Sequence, residues 1–259
     1  MHTTYVGNID LAQIILYLFI GFFLALVYYL HRENKREGYP LESDRSASIS
    51  VQGYPAVPSP KTYLLADGTR VQAPRAEPRD MRKVNGTPAA SFPGAPLVPN
   101  GDPMTAGVGP GSYAERLDIP DATIHGTPKL LPLRAAPAFY VDPKDPNPIG
   151  MTVIGADGQA GGVVRDVWVD QAEYLIRYFE VDTGETGKNK RNVLLPATLA
   201  RISGPAKQVR VKSILGGQFA GVPRQKNPDV VTRLEEEKIF GFYGAGTLYA
   251  TPQRAEPLI

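Results

Sequence analysis

Hydrophobic and polar positions change their rhythm along this chain, and each rhythm predicts a different kind of structure. From Leu11 to Leu30, LAQIILYLFIGFFLALVYYL, the chain is almost wholly apolar and carries no charge. At a rise of about 1.5 Å per residue, a helix of this length matches the ~30 Å core of a bilayer, so the stretch predicts a membrane span. A secretory leader fits less well, because no basic residue precedes the apolar run and HRENKREGYP follows it in place of a small-residue cleavage site.

Between Pro40 and Pro110 no period persists. Prolines and glycines recur throughout, and only short runs such as Thr62–Leu65 look strand-like. Irregular stretches this long are uncommon inside compact domains, and Tyr54, Tyr63 and Phe92 among mixed charges argue for a segment laid on a partner rather than a disordered one. The expectation is an extended strap over residues 31–129. From about Leu130 the texture turns to short strands with turn signals, including PLRAAPAFYV, VVRDVWVDQAEYLIRYFEV, RNVLLPATLARI and KQVRVKSIL. Even spacing of this kind predicts a small barrel or sandwich over 130–225, with Gly155-Ala-Asp-Gly158 as one of its turns. In the last segment, 226–259, Thr232-Arg-Leu-Glu235 reads as a capping box. It would open a helix that runs to about Phe242 and stops at Gly244-Ala-Gly246.

Charge gives the span a direction. Arg32, Lys35 and Arg36 follow it while no Lys or Arg precedes it, so the positive-inside rule puts residues 1–10 in the periplasm and the rest in the cytoplasm, with Tyr28 and Tyr29 at the interface. Composition removes several chemistries. Without cysteine there are no disulfides, thiolate nucleophiles or Cys-ligated metals, and His2, His31 and His125 are too scattered to form a local ligand cluster. A net charge of +2 with no long basic run argues against nucleic acid. The Gly107-Val-Gly109-Pro-Gly111 stretch follows no strand and lacks a Gly-Lys-Ser/Thr, so it reads as a turn, and Glu235-Glu236-Glu237-Lys238 reads as a solvated helix face. The hairpin turn DQAE holds Asp170 and Glu173, with Arg177 on the returning strand. Taken alone, such acids are what a water-facing turn favours.

Several ordered strings go further. Asp10-Leu-Ala-Gln13, Arg36-Glu-Gly-Tyr-Pro-Leu41, Pro60-Lys-Thr-Tyr63, GDPMTAGVGPGSYAER, Val167-Trp-Val-Asp170 and LEEEKIFGFYGAGTLYATP together resemble the H subunit of the photosynthetic reaction centre of purple bacteria, nearly end to end. The resemblance implies one transmembrane helix beside the pigment-binding L and M subunits and a mainly β cytoplasmic domain, a PRC-type β-barrel, that caps them. A cytochrome subunit and light-harvesting antenna belong to the same kind of assembly. It implies no cofactor bound by this chain alone. Bacteriochlorophyll, bacteriopheophytin, quinones and non-haem iron sit in the partner subunits, within an inner or intracytoplasmic photosynthetic membrane. It also implies proton transfer towards the secondary quinone through Glu173 and Asp170, electrostatic support from Arg177, and lipid or interface contacts at Tyr29, Arg32 and Lys35. At the proton-uptake surface, where relatives hold a richer cluster, this chain offers His125 with Asp121 as helper. The rival reading is a membrane-tethered β-barrel adaptor for a soluble partner, with no part in proton traffic.

Overall fold

The computed structural model describes residues 5–6, 9–38, 54–66, 68–74, 82–92, 94–184 and 192–255. Most of the expected periplasmic segment, stretches 39–53 and 75–81 of the expected strap, and the tail from 256 lie outside the described residues. The chain forms two compact units, residues 1–81 and 82–259, so the unit boundary falls inside the stretch read as one strap.

In the first unit a short β1–β2 ladder (Tyr5–Val6, Ile9–Asp10) leads into helix α1, Leu11–Asn34. Asp10 caps the helix by accepting the Ala12 N–H at 3.0 Å. α1 is long and apolar enough to cross a membrane, and it buries none of its residues within the chain. At its foot the polar residues turn inward. Arg36 donates to the Ser59 and Ala73 carbonyls and pairs with Glu33 at 3.0 Å, Lys61 pairs with the same carboxylate at 2.9 Å, and Lys35 donates to the Pro55 carbonyl. These bonds hold the hairpin of β3 (Lys61–Leu64) and β4 (Arg70–Ala73) to the helix foot.

The second unit starts with a small hairpin, β5 (Gly86–Pro88) and β6 (Leu97–Pro99). Its core is a seven-stranded sheet of β7 (Leu130–Pro132), β8 (Thr152–Ile154), β9 (Ala160–Asp170), β10 (Leu175–Asp182), β11 (Val193–Pro196), β12 (Ala200–Ser203) and β13 (Gln208–Val211). The order is β11-β10-β9-β8-β13-β12, with β7 pairing β9 and β8–β13 the parallel pair. The expected barrel is therefore open: β11 and β12 follow one another in the chain but do not pair. The Gly155–Gly158 turn forms as expected, with the Gly158 N–H bonded to the Gly155 carbonyl at 3.0 Å. Trp168, Tyr178, Leu194, Leu195, Val153 and Ile214 fill the interior, where each large side chain removed from water stabilises by about 1.5–3 kcal/mol.

The last helix, α2, runs Arg233–Tyr249, one full stretch longer than expected. The capping box is present: Thr232 Oγ1 accepts the Glu235 N–H at 3.2 Å, and Glu235 accepts the Thr232 N–H at 2.9 Å. The glycines do not stop the helix because they serve close packing. A Cβ on Gly244 would lie 2.3 Å from the Pro110 carbonyl oxygen, and one on Gly246 would lie 2.4 Å from Ile214 Cγ2. The Gly109–Gly111 turn is thus the surface that the glycine face of α2 packs against. Packing outweighs the helix penalty of about 1 kcal/mol per glycine.

Candidate functional site

Asp170 ends β9 and shapes the turn that follows. Its Oδ1 accepts the N–H groups of Ala172 at 2.9 Å and Glu173 at 3.0 Å, and the Tyr174 N–H bonds back to the Asp170 carbonyl at 2.9 Å. Turn chemistry therefore accounts for one carboxylate oxygen and leaves Oδ2 over. The Lys129 ammonium lies 2.8 Å from Glu173 Oε1 and 3.3 Å from Asp170 Oδ2. The second contact is an ion pair only, since Oδ2 is buried without a hydrogen bond of good geometry. Exposure is graded across the three side chains: Glu173 is 51% exposed, Lys129 20% and Asp170 1%. The Lys129 pKa is raised, chiefly by the hydrogen bond to Glu173; burial works against this rise and Asp170 adds to it.

The neighbouring hairpin is joined to this turn through its backbone. The Lys129 N–H donates to the Asp121 carbonyl at 2.7 Å, the Gln171 N–H donates to the Lys129 carbonyl at 3.0 Å, and Gln171 Nε2 donates to the Pro128 carbonyl at 2.8 Å. His125 lies exposed at the tip of that hairpin, and its imidazole makes no hydrogen bond or ion pair among the described residues. Asp121 turns away and pairs with Arg233 at 2.7 Å. The fold therefore brings Asp170 and Glu173 together and sets Asp121 and His125 beside them without side-chain contact. Among the described residues no group of three or more His, Asp or Glu is placed to hold a metal ion.

The cation at the DQAE turn is Lys129. Arg177 occupies a bulge, since Ile176 pairs with Val169 and Tyr178 with Trp168, leaving no partner for the residue between them. It lines a separate polar cavity of about 350 Å³ with Arg116, Asp121, Arg233, Glu236 and Glu237. There Glu236 accepts the buried Tyr178 hydroxyl at 2.5 Å. Burial raises the Glu236 pKa, with the Tyr178 hydrogen bond and the Arg177 charge opposing it. The acidic run of α2 is consequently not the solvated face expected of it. Glu235 closes the cap and accepts the Lys226 N–H, Glu236 meets Tyr178, and Glu237 pairs with Arg116 at 2.8 Å. Of the expected lipid contacts, Tyr29 and Arg32 are exposed, whereas Lys35 is buried against Pro55.

A second charged cluster escaped the sequence reading. Asp166 and Glu180 stand directly opposite across β9 and β10, and one nitrogen of Arg134 reaches both, at 2.8 and 2.7 Å. The Trp168 indole N–H at 3.0 Å and Asn192 Nδ2 at 2.5 Å complete the shell of Glu180. Burial alone would lower the Arg134 pKa, but hydrogen bonds and charge from Glu180, joined by Asp166 and Asp229, raise it well above the ordinary value.

Two family matches tile most of this architecture. Residues 144–217, which hold most of the open sheet, match the PRC-barrel domain. Residues 3–135, more than half of the chain, match the family described as photosynthetic reaction centre, H-chain N-terminal region. A leading apolar helix, the polar segment bound at its foot and a PRC-type sheet later in the sequence thus occur in one ordered chain, and the protein belongs to the family of photosynthetic reaction-centre H chains.

Proposed function

We propose that this H chain caps the pigment-binding L and M subunits on the cytoplasmic side, stabilises the complex and conducts protons to the secondary quinone through Glu173 and Asp170. As an H chain it is an accessory subunit associated with other reaction-centre subunits. The bacteriochlorophylls, bacteriopheophytins, quinones and iron are assigned to those partners. The observation that supports the proton route is the Glu173–Lys129–Asp170 set, in which titratable oxygens run from half-exposed to fully buried around one cation. Glu173 can exchange protons with solvent. Lys129 stays charged and keeps the two carboxylates within one contact network. Asp170 Oδ2, buried and paired with Lys129 but without a hydrogen bond, is the atom we assign as the next step of the route towards the partner side. His125 and Asp121, on the adjoining hairpin, serve as the uptake surface.

Glu173→Gln keeps size and hydrogen-bonding capacity while removing the titrating group. In the assembled complex, flash-induced proton uptake and the second electron transfer to the quinone should slow by about tenfold, with the first charge separation unchanged. Asp170→Asn should act in the same direction and less than additively. Rates equal to wild type across pH would leave a capping subunit without a proton role. Near-infrared pigment absorption that failed to co-purify with the chain in mild detergent would favour the adaptor reading instead.

A further inference from the structure

The β12–β13 hairpin ends the sheet, and among the described residues β12 has a strand on one side only. Its register sets Arg201 directly opposite Arg210, with Lys212 two residues further along and so on the same face. Like charges in direct cross-strand opposition destabilise a strand pair unless something neutralises them. The other like-charged pair in this sheet, Asp166 and Glu180, has Arg134 between its members. The arginine pair has no such counter-ion among the described residues. Arg210 reaches only the Gln208 amide oxygen, at 3.2 Å, and the Arg201 and Lys212 side chains make no hydrogen bond or ion pair among the described residues.

The same residues line a cleft of about 1130 Å³, and among the described residues no acid contributes to its wall. Eight consecutive residues, 198–205, line it together with Arg210 and Lys212, so it runs the whole length of β12, the edge strand, and extends over its hairpin partner β13. Arg254 closes the far side. Its guanidinium donates to the carbonyls of Ser213 at 2.7 Å, Gly246 at 2.6 Å and Lys212 at 3.0 Å, which fixes the group but leaves its charge without a counter-ion among the described residues. Those carbonyls take up the donors that would otherwise grip a phosphate in a two-pronged bond. The remaining cations form a cross-strand pair, Arg201 and Arg210, with Lys212 one step further along the hairpin, so they lie beside the edge as a row rather than closing round one point. An edge strand with free backbone groups beside a row of cations suits an extended chain better than a compact anion.

We propose that this cleft binds an extended acidic segment of a partner protein, which adds a strand to the β12 edge and directs carboxylates at alternate positions on one face towards the Arg201–Arg210 pair and towards Lys212. Backbone hydrogen bonds supply the docking, and the unneutralised arginine pair supplies the selectivity for acid.

The test uses the full chain in mild detergent and a labelled peptide that alternates glutamate with threonine and valine. Fluorescence anisotropy should show binding that weakens with salt, falls about tenfold in R210Q, and disappears when the peptide's glutamates are replaced by glutamine. Amide exchange at Arg201–Ser203 should slow when the peptide binds. The free R210Q chain should melt at or above the wild-type temperature, because the substitution relieves a like-charge opposition. Absent binding, binding unchanged in R201Q and R210Q, or binding with no slowing at β12 would each overturn the proposal. So would a lower melting temperature for R210Q, which would make the arginines structural. If vesicles containing phosphatidylglycerol bind wild type but not R201Q/R210Q, and the peptide does not bind, the surface is a lipid contact and the peptide reading fails.

Discussion

The β9–β10 hairpin holds a cation between two carboxylates near each of its ends, and the two arrangements differ in every respect that governs proton exchange. At the inner end, Arg134 bridges Asp166 and Glu180, both nearly buried, and Glu180 is also held by Trp168 and Asn192. At the turn, Lys129 bridges buried Asp170 and half-exposed Glu173, and one oxygen of Asp170 is left without a hydrogen bond. An arginine fork cannot lose its proton and fixes the geometry of both acids, whereas a lysine is a mobile point charge. The first cluster is therefore built to hold the hairpin to the 228–229 loop, which Arg134 also contacts at Pro228 and Asp229. The second has an exposure gradient and a buried oxygen without a hydrogen bond, the two features on which the proposed proton route rests.

Removing the inner cation should have the largest effect. Arg134→Met leaves two carboxylates opposed across the strands with no counter-ion, and should cost about 3 kcal/mol of stability, somewhat moderated because the arginine itself is partly exposed. Urea unfolding followed by the fluorescence of Trp168, the sole tryptophan, would measure this; a loss below about 1 kcal/mol would mean the cluster is not a structural clamp. Glu180→Gln in the same chain should restore part of the loss, since only one buried charge then remains unpaired.

Glu236 gives an intermediate, pH-dependent effect. Its pKa is raised in the folded chain, chiefly by burial, so its contribution to stability is full below the ordinary carboxylate range and is lost as pH rises through the raised value. Glu236→Gln should remove that slope, which cannot exceed about 1.4 kcal/mol per pH unit. Parallel stability-against-pH curves for variant and wild type would refute this assignment.

The smallest effect on stability is expected at the turn. Lys129→Met should cost less than Arg134→Met, because Glu173 can turn to water and only Asp170, still held by the Ala172 and Glu173 N–H groups, loses a buried counter-ion. The same variant should nevertheless slow proton uptake in the assembled complex. A loss as large as that of Arg134→Met, with uptake intact, would erase the distinction between the two clusters.

Much of the local structure was legible from neighbouring residues. The uncharged run after Asp10, the alternation on both sides of DQAE, the Gly155–Gly158 turn and the Thr232–Glu235 capping box each depend on contacts a few residues apart. The site was legible in half. Asp170 and Glu173 share a turn, but Lys129 lies 44 residues from Glu173 and no periodicity links them. Arg177 sits four residues past Glu173, yet a bulge directs it towards Glu236, and bulges leave little trace in an alternating pattern.

The sequence by itself determined that a single helix here could span a bilayer, that a β-rich region follows, and where its hairpin turns, because apolar period and turn chemistry act locally. Only the tertiary structure decided that α2 runs on through Gly244 and Gly246, that Lys129 is the cation of the turn, and that Arg201 and Arg210 face each other across the last hairpin of the sheet. These outcomes depend on surfaces brought together from distant parts of the chain. The Gly109–Gly111 turn fits against the glycines of α2, and among the described residues the β12–β13 hairpin has no strand beyond β12 and no acid beside Arg201 and Arg210. Which residues meet there is set by packing and strand register, and no window of sequence contains both partners.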